Sequence, residues 1–167
     1  MIGSIVVVSI IIIIGLGALF GAPYVPSHRR DVRRLFAEYI SLDTHDVVVD
    51  MGSGDGVVLR EISKQGAQAV GYEIHPLFVG ISRLLSRGDK NVRIVWRNAW
   101  RVSFPNDVTL VYIFSVGRDS KRLVRKIQAE ANRLKRPLKL VCYGNPLPHR
   151  QAQSFEAYFL YTFEPLQ

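Results

Sequence analysis

The stretch VVVDMGSGDG, Val47 to Gly56, decides the fold of this chain. Three β-branched residues form a buried strand that stops at an acid, Asp50. The chain then turns through Gly52, Gly54 and Gly56 and opens a helix. The next strand, Ala69 to Glu73, ends in a second acid. Glycines at such a turn let the backbone adopt positive φ and let a ligand approach atoms that a Cβ would shield. Asp50 is positioned to meet a cationic ligand group, and Glu73 can accept from the vicinal hydroxyls of a ribose. A dinucleotide fingerprint needs GxGxxG, whereas the spacing here is GxGxG. Asp50, together with Asp55 inside the turn, would repel a pyrophosphate but suit the ammonium and sulfonium of S-adenosylmethionine. The glycine turn alone is compatible with an ordinary strand-to-helix connection. It is the register of Asp50, the glycines and Glu73 that points to an adenosyl cofactor.

Strand and helix patterns alternate outward from this stretch. Before it, Val32, Leu35, Phe36, Tyr39 and Ile40 recur at helical spacing behind Ser27, a candidate cap. After it, Val58, Leu59 and Ile62 mark a helix that stops near Gly66. Pro76 begins another that runs through Leu77, Ile81, Leu84 and Leu85 to Gly88. Val92 to Trp96, Val108 to Ser115 and Leu138 to Tyr143 read as further strands, and a basic helix around Leu123, Val124, Ile127 and Leu134 separates the last two. Ser154 to Glu164 is aromatic and alternating, which fits one long strand or a hairpin. Such alternation predicts an α/β fold with a mostly parallel sheet, covered on both faces, whose ligand lies beyond the strand carboxyl ends. Asp50, Glu73, Asn98 and Ser115 fall there. Asn98 could accept from an adenine amino group or form a turn, and Trp100 could cover the base or fill the core.

With 167 residues and a net charge of +8, the chain is one minimal domain whose charge suits nucleic acid, an anionic membrane face or an acidic partner. The lone Cys142 cannot form an internal disulfide and sits in an apolar run, so it reads as a buried small hydrophobe. The four histidines lack metal-ligand spacing, and no metal is expected. No charged side chain occurs from Ile2 to Pro26, a length that can cross a bilayer as a helix. Arg29, Arg30, Arg33 and Arg34 follow at once, where lipid headgroups would lie. The division expected is an anchor at residues 1–22, a linker and helix at 23–45 and a catalytic domain at 46–167. The positive-inside rule puts that domain on the cytoplasmic or equivalent side of a single-pass membrane protein. A buried or interfacial hairpin is the alternative for the apolar segment. The basic side chains from Arg118 to Arg136 read chiefly as a solvated helix face.

PYVPS at Pro23 to Ser27, DMGSGDG at Asp50 to Gly56, VGYEIHPL at Val70 to Leu77, NAWRVSF at Asn98 to Phe104, IFSV at Ile113 to Val116 and NPLPH at Asn145 to His149 together carry a resemblance. The chain resembles the small membrane-attached lysine methyltransferases of the mitochondrial ADP/ATP carrier and the ATP synthase c-subunit, as a prokaryotic-type member. The resemblance implies a Rossmann-like class I sheet of seven strands. It also implies a cofactor site made of Tyr24, Pro26, Ser27, Asp50, Met51, Gly52, Ser53, Gly54, Asp55, Gly56, Glu73, Ile74, Asn98 and Ala99. Relatives commonly carry an acid where Asn98 stands and a Val-Pro step where this chain has Val116 and Gly117, so the target-facing loop differs.

The chemistry expected is methyl transfer from S-adenosylmethionine to the ε-amine of a lysine on a membrane protein, with lipid contacted through the N-terminal helix. Ser115, Val116, Asn145 and His149 are candidates for the acceptor side, and no dedicated acid or base is required. An aspartate or asparagine followed by Pro-Pro-Tyr, the mark of nucleobase amine methylation, is absent. Two alternatives remain: RNA or a small molecule as acceptor with the same cofactor, or a non-catalytic membrane-tethered binding module.

Overall fold

The computed structural model describes residues 28–166. The expected anchor at residues 1–22, and Tyr24, Pro26 and Ser27 with its capping role, lie outside the described residues. Among the described residues, no helix is long and apolar enough to cross a membrane. The first helix, α1 (Arg29–Arg34), runs on as a wider π turn over Leu35–Tyr39. Then come β1 (Val47–Met51), α2 (Val57–Ser63), β2 (Gln68–Glu73), α3 (Pro76–Leu85) and β3 (Val92–Trp96). After a loop follow β4 (Leu110–Ser115), a 3-10 turn (Gly117–Asp119), α4 (Ser120–Leu134), β5 (Leu138–Gly144), β6 (Gln153–Phe155) and β7 (Tyr158–Phe163).

The strands form one sheet in the order β3-β2-β1-β4-β5-β7-β6. Pairing is parallel from β3 through β5, while β7 lies antiparallel to β5, and β6 to β7. The aromatic terminal segment is therefore a hairpin, turning at Glu156 with φ of 54°. Its alternating side chains suit either form, and the short turn decides between them. The order reverses beside β1, so the glycine turn stands at the topological switch point of the sheet.

Two apolar layers cover the two faces. Val48, Ala69, Leu110, Tyr112 and Val141 meet α1 and α2 on one side through Val32, Leu35, Phe36, Leu59 and Ile62. Val49, Val70, Val111, Leu140 and Cys142 meet α4 on the other through Leu123, Ile127 and Ala131. Burial pushes the Cys142 thiol up to about 12, in keeping with an inert core residue. The helix expected within residues 23–45 thus packs its apolar face into the core. It is also tied down at its polar side by Glu61 of α2, which accepts from Arg29 at 2.7 Å, Arg33 at 3.4 Å and Lys64 at 2.6 Å. Burial pushes the Glu61 carboxyl up, but these cations outweigh it and hold it below the usual range. On the far side Tyr39 stacks on Phe155 at 4.8 Å and Arg34 pairs with Glu156, which docks α1 on the hairpin.

The β3–β4 connection has no helix, yet it covers the sheet by packing Ala99, Trp100, Val102 and Phe104 against the α4 layer. Its backbone is held by α4. Buried Glu130 accepts from Lys126 at 2.7 Å, Arg133 at 2.7 Å and the Phe104 amide at 3.4 Å, while Arg133 also donates to Phe104 O at 2.8 Å. Arg136 reaches Val108 O at 2.6 Å, and the Arg122 guanidinium lies 4.5 Å over the Trp100 ring. Much of the basic helix is therefore internal fastening, while Lys121, Arg125 and, at its end, Lys135 are exposed, as is Arg118 in the preceding 3-10 turn, paired with Asp119 at 3.3 Å. Replacing Glu130 with alanine strands two cations and an amide, so Glu130→Ala should lower stability by about 3 kcal/mol in urea denaturation.

Candidate functional site

The carboxyl ends of β1 and β2 are locked together by one side chain. Glu73 accepts from the Gly54 amide at 2.9 Å with Oε2, and from the Ile74 and His75 amides at 2.8 Å each with Oε1. The Gly52 and Ser53 amides donate to Tyr72 O at 2.9 and 3.1 Å. The turn is thus held to β2 by both main chain and carboxylate. A carboxylate offers about four lone-pair sites, so one on Oε2 remains for a ligand hydroxyl. The sequence assigns Glu73 to a ribose alone; in the structure its first task is to shape the turn.

All three glycines of the turn have positive φ, 98° at Gly52, 52° at Gly54 and 81° at Gly56. A Cβ at Gly52 would meet nothing within 4 Å, so the space beside its Cα is open to an incoming group, while its amide is bonded to Tyr72 O. At Gly56 the reason is different: a Cβ would stand 2.2 Å from Ser82 Oγ of α3. Gly71 of β2 admits the turn in the same way, since a Cβ there would lie 2.5 Å from both Ser53 Oγ and Leu59 Cδ1. Neither Gly71 nor Ser82 stands out in the sequence, although a glycine inside a strand marks a close backbone approach.

Asp50 is 3% exposed at the end of β1. Burial, then the charges of Glu73 and Asp55, push its carboxyl up to about 8. No cation among the described residues offsets them. Asp55 has local partners: its Oδ1 accepts from the Val57 amide at 3.2 Å, two residues on, and its carboxylate lies 3.6 Å from Arg60. Met51 and Ser53 are buried beneath the turn, and Ile74 is half exposed at its rim.

Asn98 does form a turn, since its Oδ1 accepts from the Trp100 amide at 3.0 Å. Ala99 is buried in the core, and Trp100 packs there under Arg122. On the acceptor side the Ser115 side chain is buried, and its carbonyl accepts from Asn145 Nδ2 at 2.9 Å, which brings those two candidates together. Val116 is half buried at the start of the 3-10 turn. His149 is exposed, with φ of 58°. The structure adds Tyr161, whose hydroxyl accepts from the buried Leu147 amide at 2.7 Å and pins the Asn145–His149 loop. That contact joins positions fourteen apart across a loop, and local sequence carries no signal for it. A cavity of about 370 Å³ lies elsewhere, at the amino ends of β1 and β2, lined by Val47, Gln68, Asn91 and Asp107.

This is the fold of the class I methyltransferases. An RNA methyltransferase from Salinibacter ruber, solved with S-adenosyl-L-homocysteine, superposes with a TM-score of 0.71 at 22% identity, over 86% of this chain and 95% of that one. The tRNA (m1A58) methyltransferase TrmI from Aquifex aeolicus gives 0.59 at 13% identity, over 72% and 48%. No protein-family model matches the chain. Among curated proteins, the ATP synthase c-subunit lysine N-methyltransferase of Xenopus laevis is 35% identical over 111 residues, 65% of this chain and 48% of that protein. The Homo sapiens protein of that name is 30% identical over 105 residues, 61% and 43%. The chain spans about half the length of the curated relatives it matches.

The buried Asp50 makes stability depend on pH. Because its native pKa lies above the unfolded value, the native state holds the proton as pH rises from about 4 to about 8, and stability falls across that window. Asp50→Asn should abolish this slope. Urea melts at pH 5 and pH 8 should show the wild type losing on the order of 3 kcal/mol relative to the variant.

Proposed function

We propose that the turn between β1 and α2 is the S-adenosylmethionine site of a protein-lysine N-methyltransferase whose target is a membrane protein. The observation that carries this reading is the trio of an uncompensated buried acid at Asp50, open space beside the Cα of Gly52 and a free lone pair on Glu73. These features fit a ligand with a cationic amino-acid end and a ribose. The sequence kinship to lysine methyltransferases supports the choice of acceptor.

Bound there, S-adenosylmethionine would supply a methyl group already activated on a sulfonium. The chain's own part is to hold and to exclude. Asp50 would ionise against the ligand ammonium, Gly52 would admit the ligand to the main chain, and Glu73 would accept from a ribose hydroxyl while keeping Gly54 in place. Tyr24, Pro26 and Ser27 would close over the methionine end. On the other side, Ser115, Val116, Asn145 and His149 would bound the path of the lysine. A lysine near its ordinary pKa of about 10.4 is protonated and cannot attack, so this path must take it neutral, with its proton left to water. Alignment of the nitrogen with the methyl group would then supply much of the acceleration.

Cation binding at Asp50 lowers its pKa, so binding should release a proton at neutral pH. Calorimetry of S-adenosylmethionine at pH 7 in buffers of different ionisation enthalpy should detect that release in the wild type. It should be absent in the isosteric Asp50→Asn variant, with affinity at least tenfold weaker; equal proton release in both would remove Asp50 from the site.

The reaction itself is tested with the full chain, methyl-labelled S-adenosylmethionine and membranes. Label on a protein, mapped to lysine and strongly reduced with Asp50→Asn, is the expected result. Label freed by nuclease would move the acceptor to RNA, a reading that the outward charges of Arg118, Lys121 and Arg125 would serve. No transfer at all would leave a binding module.

A further inference from the structure

Helix α3 is apolar on the wrong side. Val79, Ser82 and Ser86 are its buried positions, and Ser82 packs on Gly56 of the turn. At about 100° per residue, Leu77 and Leu84 point almost opposite to these, with Ile81 and Leu85 beside them. Leu84 is 69% exposed, Leu85 53% and Leu77 43%. The patch continues past the helix, where Ile74 and Trp96 are exposed as well. Trp96 ends the edge strand β3 on the α3 side of the sheet, and its Nε1 donates to Ile74 O at 3.0 Å, so the indole is tethered at the rim.

The segment that carries this patch is rich in basic residues, of which Lys90 and Arg93 line the cavity at the amino ends of β1 and β2. From Ile74 to Arg97 the chain carries Arg83, Arg87, Lys90, Arg93 and Arg97 against a single acid, Asp89. All five basic residues are exposed, whereas Asp89 accepts from Ser63 Oγ and the Asn91 amide. Arg83 precedes Leu84 on the helix and donates to Ile94 O at 3.2 Å, and Arg87 sits in the turn just past Leu85. Leucines facing out, an indole tethered at the edge and a basic border are what an anionic bilayer surface takes: apolar tips enter the interface, and arginines meet phosphates.

We infer that the outer face of α3, with Trp96, docks the folded domain on an anionic lipid surface. This goes beyond the proposed chemistry and holds whatever the acceptor is. It is also separate from the apolar N-terminal segment, because it concerns contact by the domain itself. Ile74 and Trp96 adjoin Glu73, so docking on this face brings the rim of the β1–β2 site to the membrane.

The test uses the full chain reconstituted into vesicles. With Trp100→Phe, Trp96 is the one tryptophan left, and its fluorescence reports on the face while any tether holds the protein on the vesicle. In phosphatidylcholine vesicles containing phosphatidylglycerol, the emission should shift to the blue and be quenched at least twofold by lipids brominated near the headgroup. In pure phosphatidylcholine it should stay near the detergent-solubilised value. Leu84→Glu with Leu85→Glu should abolish the shift without changing the melting temperature, and Arg83→Gln with Arg87→Gln should reduce it. Quenching that is equal in neutral and anionic vesicles would overturn the lipid specificity. No quenching in either would overturn the surface, as would blue emission already present in detergent. If that last emission faded on dilution, a second copy would be the occupant, and if it persisted, a segment of the same chain.

Discussion

Three backbone amides converge on the Glu73 carboxylate, and the geometry of the whole carboxyl edge follows from that convergence. One amide belongs to the glycine turn after β1 and two to the segment entering α3, so a single side chain fixes two connections that share no sequence. Charge-assisted bonds of this kind are about twice as strong as neutral ones, and here they are buried. The cost falls on Asp50. A second acid at the end of the neighbouring strand is penalised first by its burial, and the negative charges of Glu73 and Asp55 add to the penalty. An isolated protein therefore holds Asp50 protonated near neutrality. A cationic ligand reverses the balance, which makes the site selective for positive charge before any specific contact is counted.

Elsewhere the chain uses the same device in place of secondary structure. The connections β3–β4 and β5–β6 contain no helix, so the face they cover could easily be loose. Glu130 gathers Lys126, Arg133 and the Phe104 amide, Arg136 takes the Val108 carbonyl, and the Tyr161 hydroxyl takes the Leu147 amide. Glu61 does for α1 what Glu130 does for the loop. In each case a polar side chain reaches a segment far away in sequence. Such ties are directional, and they position a loop more tightly than apolar contact alone.

How much of this is legible in the sequence follows from the range of each interaction. The strands Val92–Trp96 and Leu138–Gly144 are legible because β-branched and apolar runs report their own burial. The acid–glycine–acid register is legible because turn chemistry is local. The division of labour among the acids is not. Asp55 accepts from an amide two residues on and Glu73 braces a turn nineteen residues away, distinctions that depend on where the backbone amides come to lie. Asn98 has two readings in the sequence, and the local one holds because its oxygen finds the Trp100 amide two residues on. The hairpin is ambiguous for a similar reason, since one alternating pattern serves a long strand and a folded one equally.

Helix α3 shows where periodicity misleads. Leu77, Ile81 and Leu84 recur at helical spacing, the pattern by which a core face is usually recognised, yet the sheet takes the opposite one. The reason lies in the glycine turn. Gly56 and α3 approach so closely that a Cβ would fall 2.2 Å from Ser82 Oγ, and only small side chains fit between them. The inner face of α3 is therefore set by the turn and not by hydrophobicity, which frees the leucines from any role in the domain's own core. Their exposure carries a cost in water of about 25 cal/mol for each Å² of apolar surface, and none of the described residues covers it. The tightness that forms the site thus leaves an apolar stripe beside it. Whatever covers that stripe must also come to lie within reach of Glu73.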